Sequence, residues 1–453
     1  MSLLRMLSRP RRTAKEYAHV LLGALLGRNV DPVSLDHIAS KIAKGASIGA
    51  ILDEITQSEE YVNNFKQPER NMHFGQPRIW NEREYATYTG ANKISSIVVV
   101  KLDHIGDFIL ALDSFAAVRA AFPLASITLL CGPWNAGLAR SLGVFDRIET
   151  ADVFGAAGES ALPSFVKESL GDLIDTPFDL AVDFRVYPET RWVLDHLNAS
   201  HKCGYASGAS QSRLTVELPQ PINVHSDSLA LNQRMLMLSL ANAVGAFFGR
   251  DAEFSGPALR AKLTADAKID PSIHQGKKLV VIHPFSRRAI KNWSIEKFLS
   301  LAGWLTSAMG AAVVVLGTEA ESNSVADFAD RCAELGVRSL VGQTSLVEAI
   351  TLISEADLFI GNDSGLTHVA ARLDIPSVAI FSGVAPIEAW APIGRNLKIV
   401  HSPVECAPCY LPNLDHCRAQ HSCIAAIDFE YVQSQVREQL DVLSRSSWAS
   451  CDT

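Results

Sequence analysis

The sequence has no long apolar run and no surplus of basic residues. A short apolar run occurs at residues 20–26. Neither this run nor any other stretch reaches the roughly 20 apolar residues that a membrane-spanning helix needs. The 453 residues include 41 Lys and Arg against 49 Asp and Glu, which gives a net charge of −8. This balance argues against nucleic acid as a partner, because the phosphate backbone selects basic surfaces. We therefore expect no transmembrane segment and no nucleic-acid-binding surface.

The N-terminal residues share only some features of a signal peptide. Basic residues precede the apolar run at 20–26, but that run is short and leads directly into Gly27-Arg28-Asn29 without a small-residue cleavage pattern. We expect a cytoplasmic protein, and a peripheral contact with the inner face of the membrane stays open.

Residues 1–70 are predicted to form a small helical module. Apolar residues recur at helical spacing in residues 17–25 and 48–55, and no strand-like run occurs there. The module, with its Leu26-Gly27-Arg28 motif, resembles a small bacterial helical domain related to phycobilisome linkers.

The hydrophobic content of 48% is sufficient for two or three domains with cores of their own. After a predicted linker at 71–92, apolar runs alternate with helical stretches in two series, opened by Ile97-Val98-Val99-Val100 and by Leu279-Val280-Val281-Ile282. Strands alternating with helices predict α/β domains with parallel, doubly wound sheets. The predicted domains are 93–265, 266–425 and a C-terminal helix and tail at 426–453. In the second series, helices are predicted at 294–309, 319–335, 345–355 and 366–373.

The first candidate site follows the first strand of the first series. There Lys101-Leu102-Asp103-His104-Ile105-Gly106-Asp107 leads into a helix predicted to start near Phe108. Asp107 is placed either to cap that helix or to act as a general base that takes a proton from an acceptor hydroxyl. Asp103 is the weaker rival for the role of base.

The second domain offers polar residues at three strand ends. Ser286 and Lys291 follow the strand that ends near Ile282, in a segment whose three cations suit a diphosphate, although a solvated loop would have the same composition. Asp363, Ser364 and Gly365 precede a helix whose N-terminus suits phosphate oxygens, although a plain capping turn would explain these residues individually. Glu321 follows a third strand, where a carboxylate can accept hydrogen bonds from a ribose, although a glutamate in a first helical turn ordinarily only complements the helix dipole.

Four of the eight cysteines lie within residues 406–423, a clustering that indicates metal binding in a reducing compartment. Two, seven and five residues separate Cys406, Cys409, Cys417 and Cys423. Four thiolates suit tetrahedral zinc or iron and would leave no coordination position for a substrate, so we expect a structural role. Free buried thiols and redox-active cysteines are the alternatives.

Several of these segments together resemble the ordered motifs of glycosyltransferase family 9, the heptosyltransferases, whose fold is GT-B. They are Lys101 to Asp107, Lys291-Asn292-Trp293, Gly317 to Glu321 and, above all, Gly361-Asn362-Asp363-Ser364-Gly365-Leu366-Thr367-His368-Val369-Ala370-Ala371. The resemblance covers about residues 95–440. It implies two facing Rossmann-like domains. One departure concerns the first motif, which opens with Lys101-Leu102-Asp103 where relatives often carry Arg and small polar residues.

The resemblance also implies an activity: inverting transfer, without a catalytic metal, of a heptose-like sugar from an ADP-activated donor. Asp107 would be the base. The residues implied at the diphosphate, donor sugar and ribose are Ser286, Lys291, Glu321, Asp363, Ser364, Gly365 and His368. Autotransporter heptosyltransferases, close relatives of this family, have a structural four-cysteine iron site, which favours iron at the cysteine cluster.

The acceptor cannot be identified from these motifs. A glycan, a lipopolysaccharide core and a protein hydroxyl all remain open, as does assembly into a homo-oligomer. The alternative functions are another GT-B nucleotide-sugar enzyme, such as an epimerase, and an inactive scaffold that binds sugar nucleotides.

Overall fold

The computed structural model describes residues 32–44, 78–79, 94–154, 170–206, 214–218, 232–248 and 271–446, apart from residues 324 and 326. The chain divides into two compact units, Met1–Leu259 and Arg260–Thr453. The first described element of the first unit is helix α1, Pro32–Ala43, which is the described part of the predicted N-terminal module. The remainder of that module lies outside the described residues, and its resemblance to phycobilisome linkers stays a prediction.

The first unit is built on a seven-stranded sheet. Its strands are β1 (Arg78–Ile79), β2 (Ser96–Lys101), β3 (Ser126–Cys131), β4 (Arg147–Thr150), β5 (Phe178–Asp183), β6 (Ala199–Tyr205) and β7 (Val216–Leu218). The order is β1-β7-β6-β5-β2-β3-β4, and all pairs are parallel except β1 with β7. β1 therefore adds a short antiparallel edge to six parallel strands, from within the segment that we expected to be only a linker.

Five described helices accompany this sheet, and they include the two that follow β2. They are α2 (Ile105–Leu110), α3 (Leu112–Ala121), α4 (Ala136–Leu142), α5 (Trp192–His196) and α6 (Gln233–Phe247). The central strands are fully buried, as their unbroken runs of Val, Ile and Leu predict for parallel strands covered on both faces.

The second unit contains a six-stranded parallel sheet of β8 (Leu279–His283), β9 (Ala312–Val315), β10 (Arg338–Ser339), β11 (Leu358–Asn362), β12 (Ser377–Phe381) and β13 (Leu397–His401). Its order is β10-β9-β8-β11-β12-β13. The helices of this unit are α7 (Ile295–Ser307), α8 (Glu319–Ser322), α9 (Phe328–Glu334), α10 (Leu346–Ser354), α11 (Gly365–Arg372), α12 (Ile387–Trp390), α13 (Ser422–Ala425) and α14 (Phe429–Ser446). The stretch 319–335, predicted as one helix, forms α8 and α9, which are separated by Asp327 in a left-handed conformation with φ 52°.

Both sheets follow the doubly wound order of dinucleotide-binding folds, in which two parallel halves extend in opposite directions from a central pair of strands. The predicted fold class is confirmed for the two α/β domains. The predicted boundary after residue 265 lies outside the described residues. Across the part of the chain that the structure describes, no helix is long and apolar enough to span a bilayer.

Candidate functional site

The central pair of strands in the second sheet is β8 and β11, and here the strand order reverses. Ligands of doubly wound sheets bind beyond the carboxyl ends of such a pair. β8 ends at His283 and β11 at Asn362. The expected donor residues Ser286, Lys291, Asp363, Ser364 and Gly365 all follow these two strands.

Asn362 connects the two loops that leave these strands. Its Oδ1 accepts a hydrogen bond from the backbone N–H of Trp293 at 3.0 Å, and its Nδ2 donates to the carbonyl of Pro284 at 2.6 Å. The side chain is fully buried. One amide thus fixes both ends of segment 284–293, a role that sequence reasoning missed although Asn362 lies inside the recognised motif.

Lys291 and Asp363 form an ion pair at this edge. Lys291 Nζ lies 2.6 Å from Asp363 Oδ2, and the two side chains are 21% and 10% exposed. Lys291 ends a single 3-10 turn at Ala289–Lys291. The structure therefore brings together two residues that are 72 positions apart in the sequence and leaves the lysine accessible to an anion.

The Ser286 side chain makes its hydrogen bonds within its own segment. Its Oγ is 2.7 Å from Asn292 Oδ1 and 2.8 Å from the carbonyl of Arg288. Only 8% of the residue is exposed. These contacts shape the Lys291 loop, and direct contact of Ser286 with a donor stays a prediction.

A histidine links the β11 exit to a third strand end. His283 Nδ1 lies 2.9 Å from Ser364 Oγ, and its Nε2 lies 3.8 Å from Glu321 Oε2. Burial alone would raise the pKa of Glu321, but the contact with His283 and the hydrogen bonds from Thr318 outweigh it and hold that pKa below its ordinary value. Glu321 is therefore an ionised acceptor within the same group of residues. Sequence reasoning did not single out His283.

Helix α11 begins directly at this group. Ser364 occupies its N-cap position, yet within the described residues no side chain caps the helix. The serine hydroxyl instead faces His283 and lies 3.2 Å from Thr367 Oγ1, which donates to the carbonyl of Asn362 at 2.5 Å. The first N–H groups of a helix carry the positive end of its dipole and suit an anion.

His368 lies in the first turn and a half of α11 and is 5% exposed. Among the described residues its Nδ1 has no hydrogen-bond partner. Burial lowers its pKa to about 4, an effect that the charge of Asp363 opposes and that of Lys291 assists. A neutral imidazole with an unsatisfied nitrogen beside a helix N-terminus indicates a site built for a polar ligand.

The first sheet has its own central pair, β2 and β5, which end at Lys101 and Asp183. Lys101 Nζ lies 2.6 Å from Asp103 Oδ2, while the Arg185 guanidinium contacts Asp103 Oδ1. Both oxygens of this buried carboxylate are thus engaged by cations. The Asp103 carbonyl accepts from Trp134 Nε1 at 2.9 Å and from Asn135 Nδ2 at 2.8 Å, which fixes the loop.

Asp107 does not occupy the N-cap position in which one of the two predictions placed it. Helix α2 begins at Ile105 with His104 at its N-cap position, because the N–H of Phe108 already bonds the His104 carbonyl. Asp107 is the third helical residue and is half-buried. Burial lowers the pKa of Lys101 to about 8, and the charge of Asp107 is the strongest influence in the opposite direction. The Asp107 carboxylate therefore lies near a buried ammonium.

The four clustered cysteines are unpaired and close in space. Burial raises the pKa of Cys423, and the charges of Cys409, Cys406 and Cys417 act in the same direction. Two of their sulfur atoms accept backbone N–H groups: Cys423 from Gly383, and Cys417 from His421 at 3.3 Å. Such N–H···S bonds support metal-bound thiolates, so the donor set fits a metal. As the described side chains are placed, however, no group of three or more potential ligands is arranged to hold one.

The backbone at Gly383 explains how this segment packs. A Cβ at this position would lie 2.8 Å from Cβ of Ala407 and 3.3 Å from that of Cys423. The Gly383 carbonyl also accepts from the Cys409 N–H at 3.0 Å. Only glycine permits this close approach of the cysteine segment to the end of β12.

Two doubly wound sheets, each followed by charged residues at the ends of its central strand pair, define an α/β protein of two domains. The sequence profile of glycosyltransferase family 9 (heptosyltransferase) matches residues 172–414, more than half of the chain. The protein belongs to this family.

Relatives of known name match over shorter stretches. A 123-residue stretch is 31% identical to lipopolysaccharide heptosyltransferase 3 of Escherichia coli and covers 27% of this chain and 36% of that protein. A 174-residue stretch is 27% identical to lipooligosaccharide heptosyltransferase 2 of Campylobacter jejuni and covers 37% and 53%. The chain thus spans about a third to a half of the length of these relatives.

Solved structures agree in fold over a larger part of the chain. A glycosyltransferase family 9 protein of Veillonella parvula aligns with a TM-score of 0.59 at 15% identity and covers 77% of this chain and 98% of that one. The Escherichia coli heptosyltransferase WaaC, solved with ADP-2-deoxy-2-fluoro heptose, aligns with a TM-score of 0.54 at 16% identity and covers 76% and 99%. At these identities the similarity establishes the fold alone.

Proposed function

We propose that the protein is an inverting glycosyltransferase that moves a heptose-like sugar from an ADP-activated donor to an acceptor hydroxyl. The observation that carries this proposal is the group of residues at the β8–β11 edge. There an accessible lysine, an uncapped helix N-terminus and a buried histidine with an unsatisfied nitrogen lie together.

The diphosphate is the part of the donor that this group suits best. Lys291 is positively charged and pairs with Asp363. Phosphate oxygens can replace Asp363 as its partner or bind the lysine together with it. The N–H groups of Gly365 and Leu366 at the start of α11 provide donors in a fixed direction. Both interactions strengthen as negative charge accumulates on the departing ADP, so they favour the transition state over the bound donor.

The nucleoside of the donor is proposed to bind beside the diphosphate. Glu321 is ionised and lies at the end of β9, next to β8, where acidic residues of doubly wound sheets bind ribose hydroxyls. The choice of ADP rests on family membership and on the related enzyme that was solved with an ADP-heptose analogue.

Asp107 is the proposed general base. Asp103, its rival, has both oxygens engaged by Lys101 and Arg185, so neither is available to take a proton. In the proposed step the acceptor oxygen bonds to the anomeric carbon as its proton passes to Asp107. The bond from that carbon to the diphosphate breaks, and ADP leaves from the opposite face. Lys291 and α11 stabilise the leaving charge, the part that a divalent cation plays in other transferases.

The acceptor is proposed to be a hydroxyl of a lipopolysaccharide core, as the names of the relatives suggest. Other glycans and protein hydroxyls are the competing acceptors. We also propose that Cys406, Cys409, Cys417 and Cys423 bind a structural iron or zinc ion. No step of the reaction involves this ion.

The test is sugar transfer from ADP-heptose to a panel of these acceptors, with the anomeric configuration of the product determined by NMR. Asp107→Asn should lower the transfer rate by about 100-fold or more while ADP affinity stays near that of the wild type, because only the base is lost. Asp172→Asn removes an exposed carboxylate of the same unit and should leave the rate unchanged. Transfer that survives Asp107→Asn would refute its role as base.

The two alternative functions give different results in the same assay. An epimerase would alter the donor sugar when no acceptor is present. A sugar-nucleotide-binding scaffold would bind ADP-heptose and release no ADP under any condition. Retained configuration in the product would contradict the inverting mechanism.

A further inference from the structure

We propose that His421 is a positioning residue for Lys291, and that through it the four-cysteine segment, residues 406–423, controls the affinity of the donor site. This inference rests on the proposed role of Lys291 in binding the donor diphosphate. It assigns a function to contacts that neither the family motifs nor the proposed chemistry uses.

The first contact joins His421 to the Lys291 loop. The Nε2 atom of His421 lies 2.7 Å from the carbonyl oxygen of Ile290. A carbonyl can only accept, so Nε2 is the donor. Ile290 is buried and directly precedes Lys291. The hydrogen bond therefore fixes the peptide group from which the lysine side chain begins.

The second contact joins His421 to the cysteines. Its backbone N–H donates to Cys417 Sγ at 3.3 Å, and its φ of 57° lies in the left-handed region, which is uncommon for a residue other than glycine. The position of the imidazole thus depends on the turn around Cys417. A displacement of Cys417 Sγ would therefore move His421 and, through its imidazole, alter the hydrogen bond to the Ile290 carbonyl.

A second bridge runs between the same two segments. The Arg288 guanidinium contacts the carbonyl of Leu411 and lies 3.4 Å from that of Pro412. The cysteine segment therefore holds the Lys291 loop at Arg288 and at Ile290.

The far side of the loop is held by β11. There Asn362 accepts a hydrogen bond from the N–H of Trp293. Lys291 consequently lies between two anchored positions, one provided by the cysteine segment and one by the end of β11. Release of the first anchor should leave the loop attached but move the lysine relative to Asp363 and α11.

Calorimetric titration of ADP into variants of the full chain tests this inference. His421→Ala should weaken ADP binding about tenfold, the upper range for one net hydrogen bond. His421→Gln should restore most of the affinity, because its amide nitrogen can reach the same carbonyl. His416→Ala is the matched control, since His416 is exposed and its side chain contacts, among the described residues, Asn413 of its own segment, at 2.5 Å. This variant should bind ADP like the wild type.

A double-mutant cycle separates positioning from general destabilisation. If His421 acts through Lys291, then His421→Ala should cause no further loss of affinity in a Lys291→Ala background. Equal losses in both backgrounds, or no recovery with His421→Gln, would overturn the inference. If the wild-type chain does not bind ADP, the proposed donor site fails first. If ADP binds and Lys291→Ala weakens it while the cycle is additive, only the role of His421 fails.

Discussion

Lys291 is the residue on which the donor site depends most, because its charge is paired and yet accessible. In the free protein its partner is Asp363, at 2.6 Å. A diphosphate carries more negative charge than a single carboxylate and can occupy the same position together with the α11 N–H groups. The ion pair therefore keeps the lysine in place before the donor arrives.

Lys291→Ala should lower the affinity for ADP by about tenfold to a hundredfold, the range for one charge-assisted hydrogen bond. Calorimetric titration measures this loss directly. Lys398→Ala removes a half-buried lysine of the same unit, paired with Glu438 at 2.7 Å, and should bind ADP like the wild type. Unchanged affinity of Lys291→Ala would show that the nucleotide binds elsewhere.

His368 makes the free energy of unfolding depend on pH, through the titration of a single side chain. Its folded pKa is about 4, whereas the unfolded value is about 6.5. Below pH 6.5 the unfolded chain takes up a proton that the folded chain refuses, so this contribution to stability is lost as the pH falls from about 6.5 to about 4. Above about pH 6.5 both states are neutral and the contribution is constant.

Replacement of His368 by Gln should therefore remove part of the acid sensitivity. Between about pH 7.5 and about pH 5, wild-type protein should lose about 2 kcal/mol more unfolding free energy than His368→Gln. Urea denaturation at the two pH values measures the difference. The exposed His401 provides a control, His401→Gln, which should follow the wild type. Parallel pH profiles for wild type and His368→Gln would contradict the low pKa.

At the scale of elements, the start of α11 combines several features that a short helix rarely has together. Its N-cap serine is turned toward His283, its first residue is Gly365, and among the described residues no side-chain cap bond is made at its N-terminus. Gly365 is a helical residue without a positive φ, so the backbone there is compatible with a side chain.

Gly365→Val should reduce ADP affinity by about tenfold or more, because a branched side chain obstructs the phosphate at the helix N-terminus. Gly365→Ala should have a smaller effect, and both variants should melt close to the wild type. The measurement is the same titration with ADP alone, since the proposed clamp recognises diphosphate before sugar. A Val variant with full affinity would exclude this helix from the site.

Metal binding by the cysteine segment can be tested directly. Purified protein should contain about one iron or zinc ion per chain by elemental analysis. Substitution of any one of the four cysteines by Ser should abolish binding and lower the melting temperature, whereas Cys332→Ser, at a buried cysteine outside the segment, should keep the metal. Metal-free wild-type protein with unchanged melting would refute the site.

At the scale of the whole molecule, the sequence predicted the two doubly wound sheets because buried parallel strands leave an unmistakable alternation of apolar runs and helices. It also predicted that Lys291 and Asp363 share a site, since both follow strands. It could not predict the connections made by Asn362 and His283, which depend on β8 lying beside β11. Nor could it predict that of His421, which depends on how the cysteine segment packs against the Lys291 loop. The position of Asp107 was misjudged for a local reason, because Ile105 and Gly106 resemble a loop in sequence but form the start of helix α2 in the structure.

The short strand β1 affects whether a strand of another molecule can pair with the edge of the first sheet. Arg78 and Ile79 pair with Glu217 and Val216 of β7, the last parallel strand on that side of the sheet. An open strand would present a row of backbone donors and acceptors to which a foreign chain could add. β1 pairs with two of the three residues of β7 and so occupies most of that row. Along the residues that β1 covers, β7 therefore cannot pair with a strand of another molecule.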